Sequence, residues 1–401
     1  GGRKGRERES KIARRYKRGS GQAGKNLSES LMFQWRNDMK IGIMTFHRAA
    51  NYGAVLQAYA LQFYLSGMGN ELEVMDYRCE EIEHTHAPFY MLYVKGWKNK
   101  VKQFLRLPIR IRKRRLFDNF LETKMPLSIK ADKKHVEVLL QRKYDAVIAG
   151  SDQIWNLSLT GGDMAYLLDF VPENILKVSY AASFGMDRLD EKNAALYKKY
   201  LNSFDKLSVR EQQGSHIIME LCGKEAEITA DPTFLLQKQD WERFMVVPPY
   251  RDYILLYMIR YSDMLLRRAQ RLAEKMGKQL VFISDSMKRK KGVRYVRSAT
   301  LEEWIGLFYH AACVVTNSFH GTAFSIHFNK KMIVELANQE PGKNARITSL
   351  LDKLNIKYNC RDNIIDLSRD MDWEAVNAAL AEWRESSRRF LQFTDKRKES
   401  I

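Results

Sequence analysis

The stretch Cys313 to Phe328, CVVTNSFHGTAFSIHF, constrains the fold more than any other, because a buried strand, a polar turn and a helix start meet in it. Cys313 to Thr316 are apolar or small and read as a strand. Asn317, Ser318, Phe319, His320 and Gly321 read as a turn, and from Thr322 the apolar residues return at helical spacing through Phe324, Ile326 and Phe328. This is a phosphate-binding layout. A helix N-terminus offers unpaired N–H groups and a partial positive charge, Gly321 lets the backbone come close to an anion, and Ser318 adds a hydroxyl donor. His320 lies in the turn, and histidine is a side chain that can carry a proton near neutral pH. His327, between Phe324 and Phe328, is expected to be packed. Strand–turn–helix is also the commonest unit of any α/β protein, and a turn histidine can equally cap its helix, so the rest of the chain must decide.

The same unit recurs along the sequence. Ile41 to Thr45 reads as a strand, followed by the polar turn Phe46 to Gly53 and a helix carrying Leu56, Tyr59, Ala60 and Phe63 on one face until Gly67 and Gly69 stop it. Glu73 to Asp76 is a second strand. This opening is that of a Rossmann-like domain, in which ligands meet the carboxyl ends of the strands; GxGxxG is missing, so a dinucleotide is not indicated. Ala146 to Ala149 then runs into Gly150-Ser151-Asp152-Gln153-Ile154-Trp155-Asn156. There Asp152 can orient or deprotonate a hydroxyl and Gln153 can read one, although a tight turn with Asp152 as a cap fits the same residues. Arg210 follows the strand around Leu207 to Val209, a good place for a guanidinium fork that grips carboxylate or phosphate, or for an ion pair with Glu211.

From Tyr253 a second set begins: strands at Tyr253 to Ile259, Leu280 to Ile283 and Val293 to Val296, a helix from Met264 to Met276, a capping box at Thr300 and Glu303, the Cys313 unit, and a strand from Met332 to Leu336. Arg346, near the start of the next helix, is a second candidate anion fork. Trp373 to Phe393 reads as one amphipathic helix with Val376, Leu380, Trp383 and Phe390 inward. The expected architecture is therefore α/β, two Rossmann-like domains facing across a cleft (GT-B-like), with the C-terminal helix bracing the first. The expected boundaries are 39–240, with a basic insertion at about 84–140, then 250–370 and 371–395; a chain of 401 residues is too long for one ordinary core.

Charge and cysteine content narrow the classes. The formal net charge is +19, of which +7 belongs to residues 1–38, expected to be a disordered basic tail ahead of Met39. Between Lys95 and Arg115 stand ten Lys or Arg and no acid, interleaved with Trp97, Val101, Phe104 and other apolar residues. This reads either as a solvated basic helix or as a surface for anionic lipid headgroups or an acidic glycan. No RRM, OB or helix-turn-helix pattern accompanies the charge, so nucleic acid is not an expected partner. No run approaches the roughly 18 apolar residues of a membrane span, and no signal peptide is visible, which gives the expectation of a cytoplasmic protein, peripheral at most to the inner face of the membrane. Cys79, Cys222, Cys313 and Cys360 are spaced too widely for a metal knuckle or a CxxC and are expected as reduced core thiols; no metal site is expected.

Taken together, TFHRAANYGAVLQAYAL, GSDQIWN, SYAASFG, LSVREQQG, DPTFLL, NSFHG and NARITSLLDKLNI occur in an order that resembles the polysaccharide pyruvyl transferase family. The resemblance spans residue 40 to about 356. It implies transfer of pyruvate from phosphoenolpyruvate to two hydroxyls of a sugar in a glycan or lipid-linked glycan, with phosphate release and no cofactor. On that resemblance His320 matches the family's essential histidine and would be the general acid, and Arg210 matches an arginine that would hold the donor. Asn317, Ser318, Gly321 and Arg346 would complete the donor site on physical grounds, while Asn51, Tyr52, Asp152 and Gln153 would face the acceptor. The alternative is a nucleotide-sugar glycosyltransferase of GT-B architecture. The pair of glutamates eight apart that many retaining enzymes of that kind carry beside the donor occurs in the C-terminal half only as Glu374 and Glu382, in the terminal helix.

Overall fold

The computed structural model describes residues 39–89, 96–186, 188–189, 191–287, 289–337, 341–369 and 371–392. The expected basic tail, 1–38, lies outside the described residues, as does Lys95 of the basic segment. Two parallel sheets organise the rest. In the first, β1 (Lys40–Met44), β2 (Glu71–Val74), β3 (Ala146–Ala149) and β4 (Leu176–Ser179) lie in the order β2-β1-β3-β4. Isolated parallel bridges at Val178–Lys206 and Ala182–Val209 continue it to β5 (Ser208–Val209) and β6 (Glu227–Ile228). The second sheet comprises β7 (Tyr253–Tyr257), β8 (Gln279–Ile283), β9 (Val293–Val296), β10 (Cys313–Thr316), β11 (Lys331–Glu335), β12 (Cys360–Arg361) and β13 (Ile364–Leu367), in the order β12-β13-β11-β10-β7-β8-β9.

The central strands are apolar without alternation because helices cover both faces: β3, β7 and β10 are buried at every residue. Among the described strands only β13 is reversed, pairing antiparallel with β11 on one side and with β12 on the other; β12 and β13 are joined through Asp362 and Asn363, both at positive φ. The sequence reading passed over this hairpin, although a two-residue Asp-Asn link with both φ positive is a turn those residue types favour. All four cysteines are free, as expected, but only Cys79 and Cys313 are buried; Cys360 sits exposed on the edge strand β12.

The helices that position the cleft are α1 (Tyr52–Gly67), α2 (Trp97–Lys124), α3 (Asp263–Met276), α4 (Leu301–Tyr309), α5 (Phe319–His327), α6 (Pro341–Lys353) and α7 (Trp373–Phe390). Asn51 caps α1, its side chain accepting from the N–H groups of Gly53 and Ala54. Thr300 and Glu303 close the capping box of α4. Helix α7 leaves the second sheet and packs on the first half: Val376, Leu380, Trp383 and Phe390 are buried, Trp383 Nε1 donates to the Ile228 carbonyl at 3.0 Å, and Ser387 Oγ accepts from Ala230 N at 2.9 Å. The two Rossmann-like halves thus face each other across a cleft in a GT-B-like arrangement. Tyr52 of α1 stacks on Trp304 of α4, with centroids 5.6 Å apart and planes at 13°, and its hydroxyl donates to the Ala299 carbonyl.

Most of the basic segment folds into α2, one helix of 28 residues containing Pro108. It is fastened by charge. Arg48 grips Asp76 through Nε and Nη2 at 2.8 and 2.6 Å, His47 Nε2 lies 3.1 Å from the same carboxylate, and Arg48 Nη1 reaches Asp118 on α2 at 3.2 Å. Burial alone would raise the Asp76 pKa; His47 and Arg48 outweigh it and hold the carboxyl far below the ordinary range.

His327, at the last turn of α5, packs among Phe234, Trp241, Phe324 and Phe328. Burial, with Arg384 nearby, pushes its imidazole down to about 3, so between that value and the ordinary histidine range the unfolded chain holds a proton that the folded chain does not. Stability should therefore fall as pH drops through this window. Urea unfolding should show the wild type losing about 2 kcal/mol more than His327→Phe between pH 7 and pH 5. Equal losses would mean that the ring is not held neutral.

Candidate active site

Each sheet reverses its winding once, and ligands of open parallel sheets collect at such reversals, outside the carboxyl ends of the strands. In the first sheet the reversal lies between β1 and β3, followed by the turn to Gly53 and by Gly150-Ser151-Asp152. In the second it lies between β10 and β7, followed by Asn317 to His320 and by Met258-Ile259. The two meet. A Cβ added to Gly53 would stand 2.1 Å from His320 Nδ1 and 2.2 Å from its Cγ, so the helix start of one half and the imidazole of the other touch only because residue 53 is glycine.

Around His320 the chain places a buried charged cluster. Asp231, beyond β6, accepts from Arg210 Nη1 at 2.9 Å and from Thr233 N and Oγ1, and its Oδ2 lies 3.5 Å from His320 Nε2. Burial alone would raise the Asp231 pKa; His320, Arg210 and Thr233 hold the carboxyl far below the ordinary range. Arg210 also has Asp152 at 3.7 Å and Glu211 at 3.8 Å, and its guanidinium stacks 4.3 Å from the centroid of Phe319. Burial would lower the Arg210 pKa, but the three carboxylates raise it. Arg346 on α6 comes close enough that burial and Arg210 together bring its pKa down to about 10. Arg210 Nε and Nη2, Arg346 Nε, His320 Nε2 and Glu211 Oε2 are buried with no hydrogen-bond partner among the described residues. Buried polar atoms are rarely left so, and several in one place mark a site shaped for polar contacts from a ligand.

The expected site residues divide in this geometry. His320, Arg210, Arg346 and Asp152 gather in one cluster, Asp152 on the same side as the supposed donor ligands, with backbone φ of 76°. Gln153 lies beside it: a Cβ on Gly185 would meet Gln153 Oε1 at 1.9 Å. Asn51 is occupied as a cap and Tyr52 as an interface anchor. Asn317 holds the loop after β7, accepting from Ile259 N at 2.9 Å and donating to the Arg260 carbonyl at 2.7 Å. Ser318 caps its own helix, accepting from Gly321 N at 3.1 Å, so the expected phosphate cradle at Ser318 and Gly321 is closed by the protein itself. Asp231, Glu211 and Ser183, whose hydroxyl donates to Glu211 at 2.6 Å, were missed as site residues. The conspicuous signal for Asp231 was the Asp-Pro pair ending a strand, which reads first as a turn. Among the described residues no group of three His, Cys, Asp or Glu side chains is placed to hold a metal ion.

Beside the cluster lies a cavity of about 940 Å³, between the inward face of α2 and the carboxyl ends of β7 and β8. Lys98, Arg106, Arg110, Lys113 and Lys290 line it with Asp263 and Asp285, together with Phe282, Tyr261 and Tyr295. Its lining includes Ala50, three residues before Gly53, and Ile259, whose N–H donates to Asn317.

The contact between Gly53 and His320 can be tested without an activity assay. Gly53→Ala should cost about 1–3 kcal/mol in urea unfolding, as overpacking does, and should cost much less in a His320→Gly background. Additive losses in the double variant would show that the two residues do not share a contact.

No curated protein matches the chain. Solved structures of similar fold include a Listeria monocytogenes protein described as a UDP-N-acetylglucosamine 2-epimerase (11% identity, 89% of this chain and 92% of that one, TM-score 0.47). Others are S. aureus MnaA with UDP (14%, 87% and 89%, TM-score 0.47) and an alpha-glucosyltransferase with UDP and DNA (10%, 88% and 95%, TM-score 0.45). At these identities the likeness is one of fold. Other structures of this fold are described as UDP-N-acetylglucosamine 2-epimerases and as an E. coli heptosyltransferase, again a likeness of fold that assigns no chemistry. The expectation of pyruvyl transfer from phosphoenolpyruvate is corrected. The physical reason lies in the cluster, where Arg210 and Arg346 stand among Asp152, Glu211 and Asp231, a poor landing place for a small molecule carrying both phosphate and carboxylate. A model of the polysaccharide pyruvyl transferase family matches residues 51–335, most of the chain, and the chain therefore belongs, as an enzyme of GT-B-like fold, to that family.

Proposed function

We propose that the chain transfers a sugar from a nucleoside-diphosphate donor to a hydroxyl of a glycan. The observation that carries this reading is the separation of charge along the cleft. Five basic side chains against two acids line the large cavity, whereas two arginines stand among three carboxylates in the cluster around His320. A diphosphate is favoured in the first environment, and the aromatic rings of Phe282, Tyr261 and Tyr295 offer faces to a base. Sugar hydroxyls are favoured in the second, where buried carboxylates accept and guanidinium N–H groups donate. A cavity of about 940 Å³ suits a nucleotide-sized ligand.

In this reading His320 is the general base. Its Nε2 accepts the proton of the attacking glycan hydroxyl as that oxygen bonds to the anomeric carbon and the donor's phosphate oxygen leaves with the bond electrons. Asp231, 3.5 Å away, stabilises the imidazolium that forms. Charge growing on the leaving diphosphate is met by the basic residues of the cavity.

UDP, with ADP and GDP alongside, should raise the melting temperature at millimolar concentration, and phosphoenolpyruvate should not. Stabilisation by phosphoenolpyruvate with none from any nucleotide would end this reading. Turnover of nucleoside-diphosphate sugars, read as nucleotide release, should drop at least about 100-fold in His320→Gln while the thermal shift by nucleotide is kept. Retained turnover would remove His320 as the base.

A further inference from the structure

Helix α2 has two faces of different character. Its inward face lines the cavity through Arg106, Ile109, Arg110 and Lys113. Its outward face carries Trp97, Phe104 and Pro108 along one line, at spacings of seven and four residues, and all three are exposed; Trp97 is 72% exposed and Phe104 61%. Arg112 and Arg115 continue the same line and are exposed too, and Lys100 flanks it. No acidic residue occurs on the helix before Asp118. A core helix would not leave a tryptophan and a phenylalanine in water, and a merely solvated helix would not carry them. The combination of an apolar ridge with unopposed positive charge over about 27 Å of helix is that of an element lying in the interface of an anionic bilayer.

We propose that the outward face of α2 docks on a bilayer of anionic lipids, the apolar ridge entering among the acyl chains and Lys100, Arg112 and Arg115 meeting headgroup phosphates. Charge complementarity selects this occupant over a second copy of the chain, whose identical face would bring like charges together. Because the opposite face of the same helix lines the cavity, docking sets the cleft beside the membrane, and an acceptor glycan carried on a lipid reaches it without leaving the bilayer. The statement about the acceptor rests on the reading of the cleft as a sugar-transfer site; the docking itself does not.

The test uses the full chain and vesicles of phosphatidylglycerol and phosphatidylcholine, against vesicles of phosphatidylcholine alone. Sedimentation should occur with the first and fall about tenfold or more between low and high salt. Trp97→Ser/Phe104→Ser and, separately, Arg112→Glu/Arg115→Glu should each lower the bound fraction at least about fivefold, with the thermal shift by UDP unchanged. Brominated acyl chains should quench the fluorescence of the wild type and much less that of Trp97→Ser. If both double variants sediment like the wild type, binding belongs to another part of the chain, the basic N-terminus included, and the proposal is overturned. It is equally overturned if the wild type ignores anionic vesicles, or if its outward face instead forms a dimer in sedimentation velocity that the Trp97→Ser/Phe104→Ser variant abolishes. Loss of the UDP shift with vesicle binding intact would count against the sugar-transfer reading alone.

Discussion

Asp231 is a carboxylate with no access to water, and its burial is the constraint on which the site depends. An isolated charge in that position would cost several kcal/mol, so the chain must bring it cations and donors with good geometry. Arg210 and Thr233 come from its own half, and His320 comes from the other. Separating the halves would strip His320 from the carboxylate and leave it to Arg210 and Thr233. His320 is thereby part of what holds the cleft together, and its position is set by the same balance that keeps the buried charge tolerable. The absent side chain at Gly53 is the steric half of that condition, since any Cβ there would occupy the space of the imidazole.

Much of the architecture was legible. Fully buried strands such as Tyr253–Tyr257 and Cys313–Thr316 are continuous apolar runs, and turns rich in Gly, Ser, Asn and Asp follow them, so the alternation of strand and helix could be read residue by residue. What could not be read is which turn residues are taken up by the protein itself. Ser318, Asn317 and Asn51 have the chemistry of ligands, and the fold uses all three as caps and braces, because a helix start that is buried must satisfy its own N–H groups. The reverse error explains Asp231: an aspartate before proline looks like a turn former until the packing shows three partners around it. The hairpin at Asp362 and Asn363 is different, since its turn signal was present and simply short.

Charge also has to be read in three dimensions. The basic excess of the 95–115 segment is one number in the sequence, but the helix divides it between a face toward the cavity, where Lys113 sits 5.1 Å from the centroid of Tyr52 and 3.4 Å from Asp285, and a face toward solvent. Family membership and the GT-B-like frame say where chemistry of this kind is housed, not which donor occupies it. The choice between donors turns on local electrostatics, and there the large cavity is positive while the cluster around His320 is rich in carboxylate.

The knot at Asp76 places α2 and His320 mechanically in series. Asp118 of α2 is tied to Arg48, Arg48 is clamped on Asp76, and the backbone from Arg48 leads in five residues to Gly53, which abuts the His320 ring. The Arg48–Asp76 pair is a charge-assisted bond between buried groups, whereas Asp118 is half-buried. The clamp at Arg48 and the contact at Gly53 are thus the two ends of one short loop, so α2 and the His320 ring share a single stretch of backbone, residues 48–53, between them.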